Sequence, residues 1–390
     1  MIRALTGGIV AGLLAASPAL ADEPVRRWSV SVSGEGHSSP DPSGHGAVLV
    51  AVERLGRAGQ SVFAEINTET LRVGATNLPV APRARLHAVA TGEALIAGLQ
   101  PDFWRQDRLD RGAGFYHSYA RADLALDVHL GRGHQITPFA GAGARWFADT
   151  SDTDRTTADA EIDAARPADF GFAEAGARYT WWGLASDDAW SDRHRFFARL
   201  DGSAVDVTVS GRIRSEVTAW TLDPEGEVDG PRNTPDTAGV TARARALSGV
   251  RLGTAARLQL EQHVVVSTGL DDTERARVGG MNPWVVPLAG APWAGYVPDH
   301  VAAQRTSLHI GVGSDTEVGP IVDVAWIDDV DRTGGAAGVR GGVGAFIDAR
   351  VGAWQLDVRT GYAPPSGTLD APGRFTVFAG LGRDWRSDRR

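Results

Sequence analysis

The chain has 390 residues, 39 arginine or lysine side chains against 48 acidic ones, a net charge of −9 and no cysteine. The acidic balance excludes a basic face for nucleic acid, and without thiols there is neither a disulfide framework nor a thiolate metal site. No run after the N-terminal segment reaches the roughly 20 apolar residues of a membrane helix, so a chain like this that crosses a membrane has to do so as a closed β-barrel.

Residues 1–21 carry one basic side chain, Arg3, then a short apolar run broken by Gly7, Gly8, Gly12 and Pro18, then the small-residue site Ala19-Leu20-Ala21. This is the pattern of a cleavable secretory signal peptide. The mature chain is expected to start at Asp22 and to form one barrel domain, 22–390, with no linker or internal repeat.

From there on the dominant period is two. In Tyr119–Leu130, Ala120, Ala122, Leu124, Leu126 and Val128 alternate with Arg121, Asp123, Asp127 and His129, and the pattern returns in Phe172–Trp182, Arg257–Val266 and Trp354–Arg359. Strands of this kind need an apolar medium on one side and water on the other. Sixteen candidates follow in order: 28–34, 46–55, 61–76, 83–91, 93–99, 117–131, 135–149, 171–182, 193–210, 239–252, 255–267, 301–312, 318–328, 338–350, 353–362 and 373–385. Connections after odd-numbered strands include the long ones (35–45, 100–116, 150–170, 211–238, 268–300), and those after even-numbered strands are mostly short, 183–192 excepted. Outer-membrane barrels show this asymmetry, which predicts an even strand count with both termini periplasmic. Two irregularities stand out: Pro138, which has no N–H for the ladder, predicts a bulge or a shifted strand start, and a phase slip between Ala204 and Val205 predicts a bulge.

The stretch 271–300, DDTERARVGGMNPWVVPLAGAPWAGYVPDH, is rich in glycine and proline yet strongly apolar. Loops of this length are usually functional or disordered, and Trp284, Trp293 and the Val285-Val286 pair argue against disorder. The loop is expected to fold toward the lumen, carried by Arg275, Arg277, Gly279, Gly280, Asn282, Pro283, Trp284, Pro287, Gly290 and Trp293. Arg275 or Arg277 is expected to pair with a lumen-facing carboxylate, Glu261, Asp323 or Asp348. Such a loop acts either as a plug or gate, or as a structural lid or outer loop.

In position and texture this loop resembles the long inward-folding loop of the Omp85, or bacterial surface-antigen (D15), barrel superfamily. Arg277-Val278-Gly279-Gly280 matches the first part of that family's run, and Val301–Gly311 followed by Ile321-Val322-Asp323-Val324-Ala325-Trp326 resembles the next hairpin, whose second strand carries an aspartate. The family's central Arg-Gly-Tyr is replaced here by Val286-Pro287-Leu288-Ala289-Gly290, so its anchoring arginine has no direct counterpart. The last strand, Arg374–Trp385, resembles the aromatic-ended assembly signal of outer-membrane barrels, followed here by the polar tail Arg386–Arg390. The resemblance covers roughly the last third of the chain. It implies a barrel-only member, without the periplasmic repeats of the assembly factors, inserted by the barrel-assembly machinery and handling exported protein, lipid or polysaccharide.

Other chemistry is thinner. Inward charges of mixed sign, among them Arg121, Glu174, Arg199, Asp201, Arg243, Asp357 and Arg359, suit a wet lumen or a bracing network. His117-Ser118, Ser307 with His309, and His263 beside Glu261 are pairs from which a hydrolase is built, but no third group is identifiable and no enzyme is expected. The aspartates of 149–163 lack the spacing of a calcium loop, so neither metal nor cofactor is expected. The sequence thus predicts an all-β transmembrane antiparallel barrel in the cell outer membrane. Its expected role is Omp85-like translocation, assembly or gated transport with loop 271–300 as plug; the alternatives are a passive porin-like channel, a structural or surface-interaction barrel, and an outer-membrane hydrolase.

Overall fold

The computed structural model describes residues 25–38, 43–55, 60–67, 70–93, 103–105, 108–110, 115–149, 167–184, 202–221, 232–233, 235–271, 273–281, 285–291, 295–328, 337–364 and 373–387. The expected signal peptide, Arg199, Asp201 and most of the 149–163 aspartates lie outside them.

Alternating side chains extend into strands β1 (Val25–His37), β2 (Ser43–Leu55), β3 (Ser61–Asn67), β4 (Thr70–Ala81), β5 (Ala84–Glu93), β6 (Phe103–Arg105), β7 (Arg108–Asp110), β8 (Phe115–Gly131), β9 (His134–Asp149) and β10 (Phe170–Leu184). The series continues with β11 (Gly202–Arg214), β12 (Trp220–Thr221), β13 (Arg232–Asn233), β14 (Ala238–Arg251), β15 (Ala256–Thr268), β16 (His300–Gly311), β17 (Thr316–Ile327), β18 (Gly338–Val351), β19 (Trp354–Ala363) and β20 (Arg374–Ser387). β6–β7 and β12–β13 are separate two-stranded ribbons; the other sixteen strands close an antiparallel barrel in sequence order. Closure removes the sheet edge, and the β1–β20 seam runs in register from Arg26↔Ser387 to His37↔Thr376.

Because the barrel count is even, β1 begins and β20 ends at one rim. Short turns at 82–83, 132–133, 252–255, 312–315 and 352–353 share that rim, and 185–201 is its one long connection. The connections 94–114, 150–169, 215–237, 269–299, 328–337 and 364–373 all leave the opposite rim. On β17, Val322, Val324 and Trp326 face outward and are exposed, whereas Ile321, Asp323, Ala325 and Ile327 face inward and are buried. Repeated around the barrel, this makes a transmembrane surface with an apolar outer band. Trp28, Trp354 and Trp385 mark it near the terminal rim, and Trp146, Trp326, Tyr362 and Phe375 near the other, as aromatic girdles do.

Sixteen barrel strands match the expected number through two errors that cancel. The span 61–76 is two strands turning between Asn67 and Thr70, a turn with no glycine or proline to announce it. The candidate at 93–99 lies, apart from Glu93, outside the described residues, and among those β5 ends at Glu93 and pairs with β8. Likewise the strand expected at 193–210 begins at Gly202. Neither predicted bulge forms. Pairing stops at Leu126 and Asp127 opposite Pro138 and resumes in the same register, from Ala125↔Phe139 to Val128↔Ile136. Ala204 and Val205 pair without a shift on both sides; the slip in hydropathy arises because Ala204 and its partner Leu247 are apolar residues at buried inward positions.

Candidate functional site

Loop 269–299 turns into the barrel and builds a small sheet of its own. Val278 and Tyr296 exchange backbone hydrogen bonds at 3.0 Å in both directions, Gly279 N donates to Val286 O at 3.0 Å, Val286 N to Arg277 O at 3.0 Å, and Leu288 N to Gly280 O at 3.1 Å. These bonds satisfy backbone groups that burial would otherwise leave unpaired. Gly280 and Gly290 turn the chain at φ 92° and 78°, the left-handed region that side chains avoid.

The apolar residues that looked anomalous for a surface loop become its packing face. Ala276, Val278, Val286, Leu288, Ala291 and Tyr296 pack on Val265, Val301, Ala303, Ala325 and Ile327 of β15, β16 and β17. A second group joins Met281 and Ala289 to Ile321, Phe346 and Phe378 of β17, β18 and β20. Each large side chain buried this way contributes about 1.5–3 kcal/mol. The wall leaves room where loop backbone comes closest: a Cβ on Gly342 of β18 would collide with Ala289 O.

Polar latches set the loop's register against the wall. Met281 N donates to Glu35 Oε1 on β1 at 2.7 Å, Ala289 N to Asp323 Oδ2 on β17 at 2.7 Å, and Gly290 N to Thr376 Oγ1 on β20 at 3.2 Å. Arg305 holds Asp323 in a two-pronged pair, 2.9 and 2.7 Å, with both side chains buried. Arg359, paired with Asp357 at 3.1 and 2.6 Å, donates to Met281 O at 3.0 Å. A carboxylate accepting a backbone N–H and an arginine together makes charge-assisted bonds that exceed neutral ones.

The loop's first turn is tied to the opposite side of the lumen. Asp271 accepts from Arg214 NH1 at 2.9 Å, Trp220 Nε1 at 3.3 Å and Thr273 Oγ1 at 2.6 Å, and Glu274 pairs with Arg212. Arg212 and Arg121 also share Glu174, each at 2.8 Å. Beside this network lies a cavity of about 250 Å³ lined by Arg121, Glu174, Thr208, Ser210, Arg212 and Arg243 among others. Arg243 is exposed there, and among the described residues it makes no ion pair or hydrogen bond.

Of the residues singled out from sequence, Gly279, Gly280, Pro287 and Gly290 are buried in the inserted loop, and the Arg277 carbonyl sits in its small sheet. Asn282, Pro283, Trp284 and Trp293 lie outside the described residues. Of the two arginines expected to anchor the loop, Arg275 pairs with Asp299 of its own loop at 2.9 Å. Glu261 is taken by Arg245 at 2.7 Å and His263 at 2.9 Å, Asp323 by Arg305, and Asp348 stands across from Glu317 and Asp357. At Asp323 and at Met281 O the wall supplies the arginine and the loop supplies backbone. Glu35, Arg305, Thr376, Asp271 and Glu274 were missed, and Arg359 was singled out as an inward charge but not as a loop anchor. Of the missed residues only Asp271 and Glu274 carry a local signal, as acids opening the loop.

The three Ser/His/acid pairs divide. His117 is bonded to Arg145 at 2.9 Å, and His263 lies against Glu261 at 2.9 Å. Ser307 Oγ lies 3.0 Å from His309 Nε2, and His309 Nδ1 3.0 Å from Glu317 Oε2, a relay whose third member the sequence did not show. Ser307 is only 2% exposed and His309 1%, and His309, Glu317 and Arg257 line a cavity of about 320 Å³. The relay braces β16 against β17, with Arg257 on Glu317 at 3.0 Å.

No protein-family model matches the sequence, and no curated protein sequence does. Solved structures match the fold. CdiB from Acinetobacter baumannii superposes with a TM-score of 0.55 at 11% identity over 92% of this chain and 60% of its own. BamA from Haemophilus ducreyi lacking POTRA domains 1–3 gives 0.57 at 10% over 92% and 70%, and CdiB from Escherichia coli 0.58 at 13% over 93% and 63%. The barrel is therefore Omp85-like in fold. The chain spans about 60% of the length of the A. baumannii protein, and at these identities the likeness is one of architecture.

Proposed function

We propose that the protein is an outer-membrane pore of Omp85-like build, gated by loop 271–300 as its plug. One observation carries this reading: the loop is latched to both flanks of the seam and to β17 through its backbone N–H groups, at Glu35, Thr376 and Asp323. Hydrogen bonds of this kind stabilise by about 0.5–1.5 kcal/mol each, somewhat more to a carboxylate. Docking held by a few such bonds and two modest apolar clusters can be reversed by a binding partner, while the closed barrel stays intact. The seam favours passage through the lumen over sideways release, since β1 and β20 pair along their whole shared length. In this reading residues 1–21 export the chain, the terminal rim faces the periplasm, and the assembly machinery inserts it. The cargo is an exported protein, lipid or polysaccharide.

Single-channel recording of the refolded mature chain tests this, comparing wild type with a variant lacking Gly279–Tyr296. The expected result is a quiet or flickering wild type and a large steady conductance in the deletion. If both are folded, inserted and silent, the lumen is shut by its wall charges and the transport reading is wrong.

A further inference from the structure

The outer surface at the terminal rim carries a feature that the lumen does not explain. On β20, Phe375, Val377 and Leu381 project outward and are exposed, and the next outward residue is Arg383. Its guanidinium lies 4.7 Å from the Trp385 ring centre and 5.6 Å from that of Trp354, which stands directly across from it on β19. The two indoles meet edge to face at 6.2 Å, and Trp28, exposed on β1, pairs opposite Trp385. The neighbouring acid offers no compensation: Asp384 points inward, to Arg27 at 2.7 Å. Among the described residues Arg383 has neither ion pair nor hydrogen bond, and its Nε is shielded from solvent.

A charged side chain on the lipid-facing side of a barrel is costly unless something compensates it. Stacking on indoles compensates partly, since ring faces attract a cation, but it leaves all five guanidinium N–H donors unmatched. At the edge of the apolar band the compensating groups on offer are lipid headgroups. A phosphodiester presents two oxygens that a planar guanidinium binds in a fork, and tryptophans settle at headgroup level beside it. We propose that Arg383, Trp354, Trp385 and Trp28 form a binding site for the phosphate of an anionic phospholipid in the leaflet at the terminal rim. The charge complementarity selects an anionic lipid over a zwitterionic one, whose ammonium competes with the arginine for the phosphate. The site belongs to the barrel's outer face, so it stands or falls independently of whether the loop is a plug.

The test is native mass spectrometry of the full mature barrel, delipidated and then re-exposed to equal amounts of phosphatidylglycerol and phosphatidylethanolamine. Wild type is expected to retain one phosphatidylglycerol preferentially. Arg383→Gln is expected to lose that preference at least tenfold, and Arg132→Gln, in a turn at the same rim, to keep it. Equal retention of the two lipids by wild type overturns the proposal with no variant needed, and so does an Arg383→Gln barrel, shown folded by heat-dependent gel mobility, that retains phosphatidylglycerol unchanged.

Discussion

The two sides of the lumen are built from the same alternating strands but filled differently. Along β8 to β14 the inward positions hold Arg121, Asp123, Glu174, Thr208, Ser210, Arg212 and Arg243, in ion pairs or open to a polar cavity. Along β15 to β20 the inward positions near the loop hold Val301, Ala303, Ala325, Ile327, Phe346 and Phe378, sealed under the inserted chain. Strand parity decides which residues point inward; what covers them decides their chemistry. An apolar residue at an inward barrel position therefore marks where something other than water lies. Two buried ion pairs on the covered side, Asp323 with Arg305 and Asp357 with Arg359, each also reach loop backbone, through Asp323 and through Arg359.

This contrast fails if mutations on the two sides have equal effects. The largest loss is expected for Asp323→Ala, which strands a buried Arg305 and an unmatched Ala289 N–H. Breaking a buried pair from one side costs about 3–5 kcal/mol, to be read as a drop in the barrel's unfolding midpoint together with steady conductance. Leu288→Ala removes a fully buried side chain without disturbing a charge; its expected cost is about 2–5 kcal/mol, near the low end because the loop can settle, and it should raise the frequency of openings. Gly290→Val places a side chain at φ 78°, where a Cβ would collide with Ala363 N. The strain of about 1–3 kcal/mol should expel the loop while leaving barrel unfolding nearly unchanged, which separates docking from barrel stability. Glu174→Gln on the wet side is expected to cost only about 1 kcal/mol, because water reaches Arg121 and Arg212. Molar salt should shrink that last difference and leave the first intact, since screening acts over about 3 Å at 1 M and little inside the covered side.

Much of the barrel was legible in sequence because period-two alternation is a local signal. Val322, Val324 and Trp326 against Asp323 and Ala325 give strand, face and medium at once. The turn at 67–70 was not legible, because Asn67-Thr68-Glu69-Thr70 lacks a breaker and the alternation runs through it. The loop's texture revealed that it packs, since valines and glycines have no use in open water. Its anchors were hidden for a different reason. Glu35 meets Met281 across 246 positions of sequence, and Thr376 meets Gly290 across 86. Each looks like one more inward polar residue until the strands close and bring β1 and β20 side by side. Arg275 was the natural anchor by type, and it pairs with Asp299 at the far end of its own loop.

The central claim is that the loop keeps one side of the lumen dry and covered, and the absence of native cysteine allows a direct measurement. Leu288→Cys and Arg243→Cys place single thiols on the two sides, to be followed by the rate of reaction with a membrane-impermeant maleimide in intact proteoliposomes. The account predicts fast labelling at position 243 and labelling at 288 slower by about a hundredfold, the factor set by an opening free energy near 2.7 kcal/mol. Equal rates at the two positions would show that the loop does not cover its wall, and the gated-pore reading would fall with it.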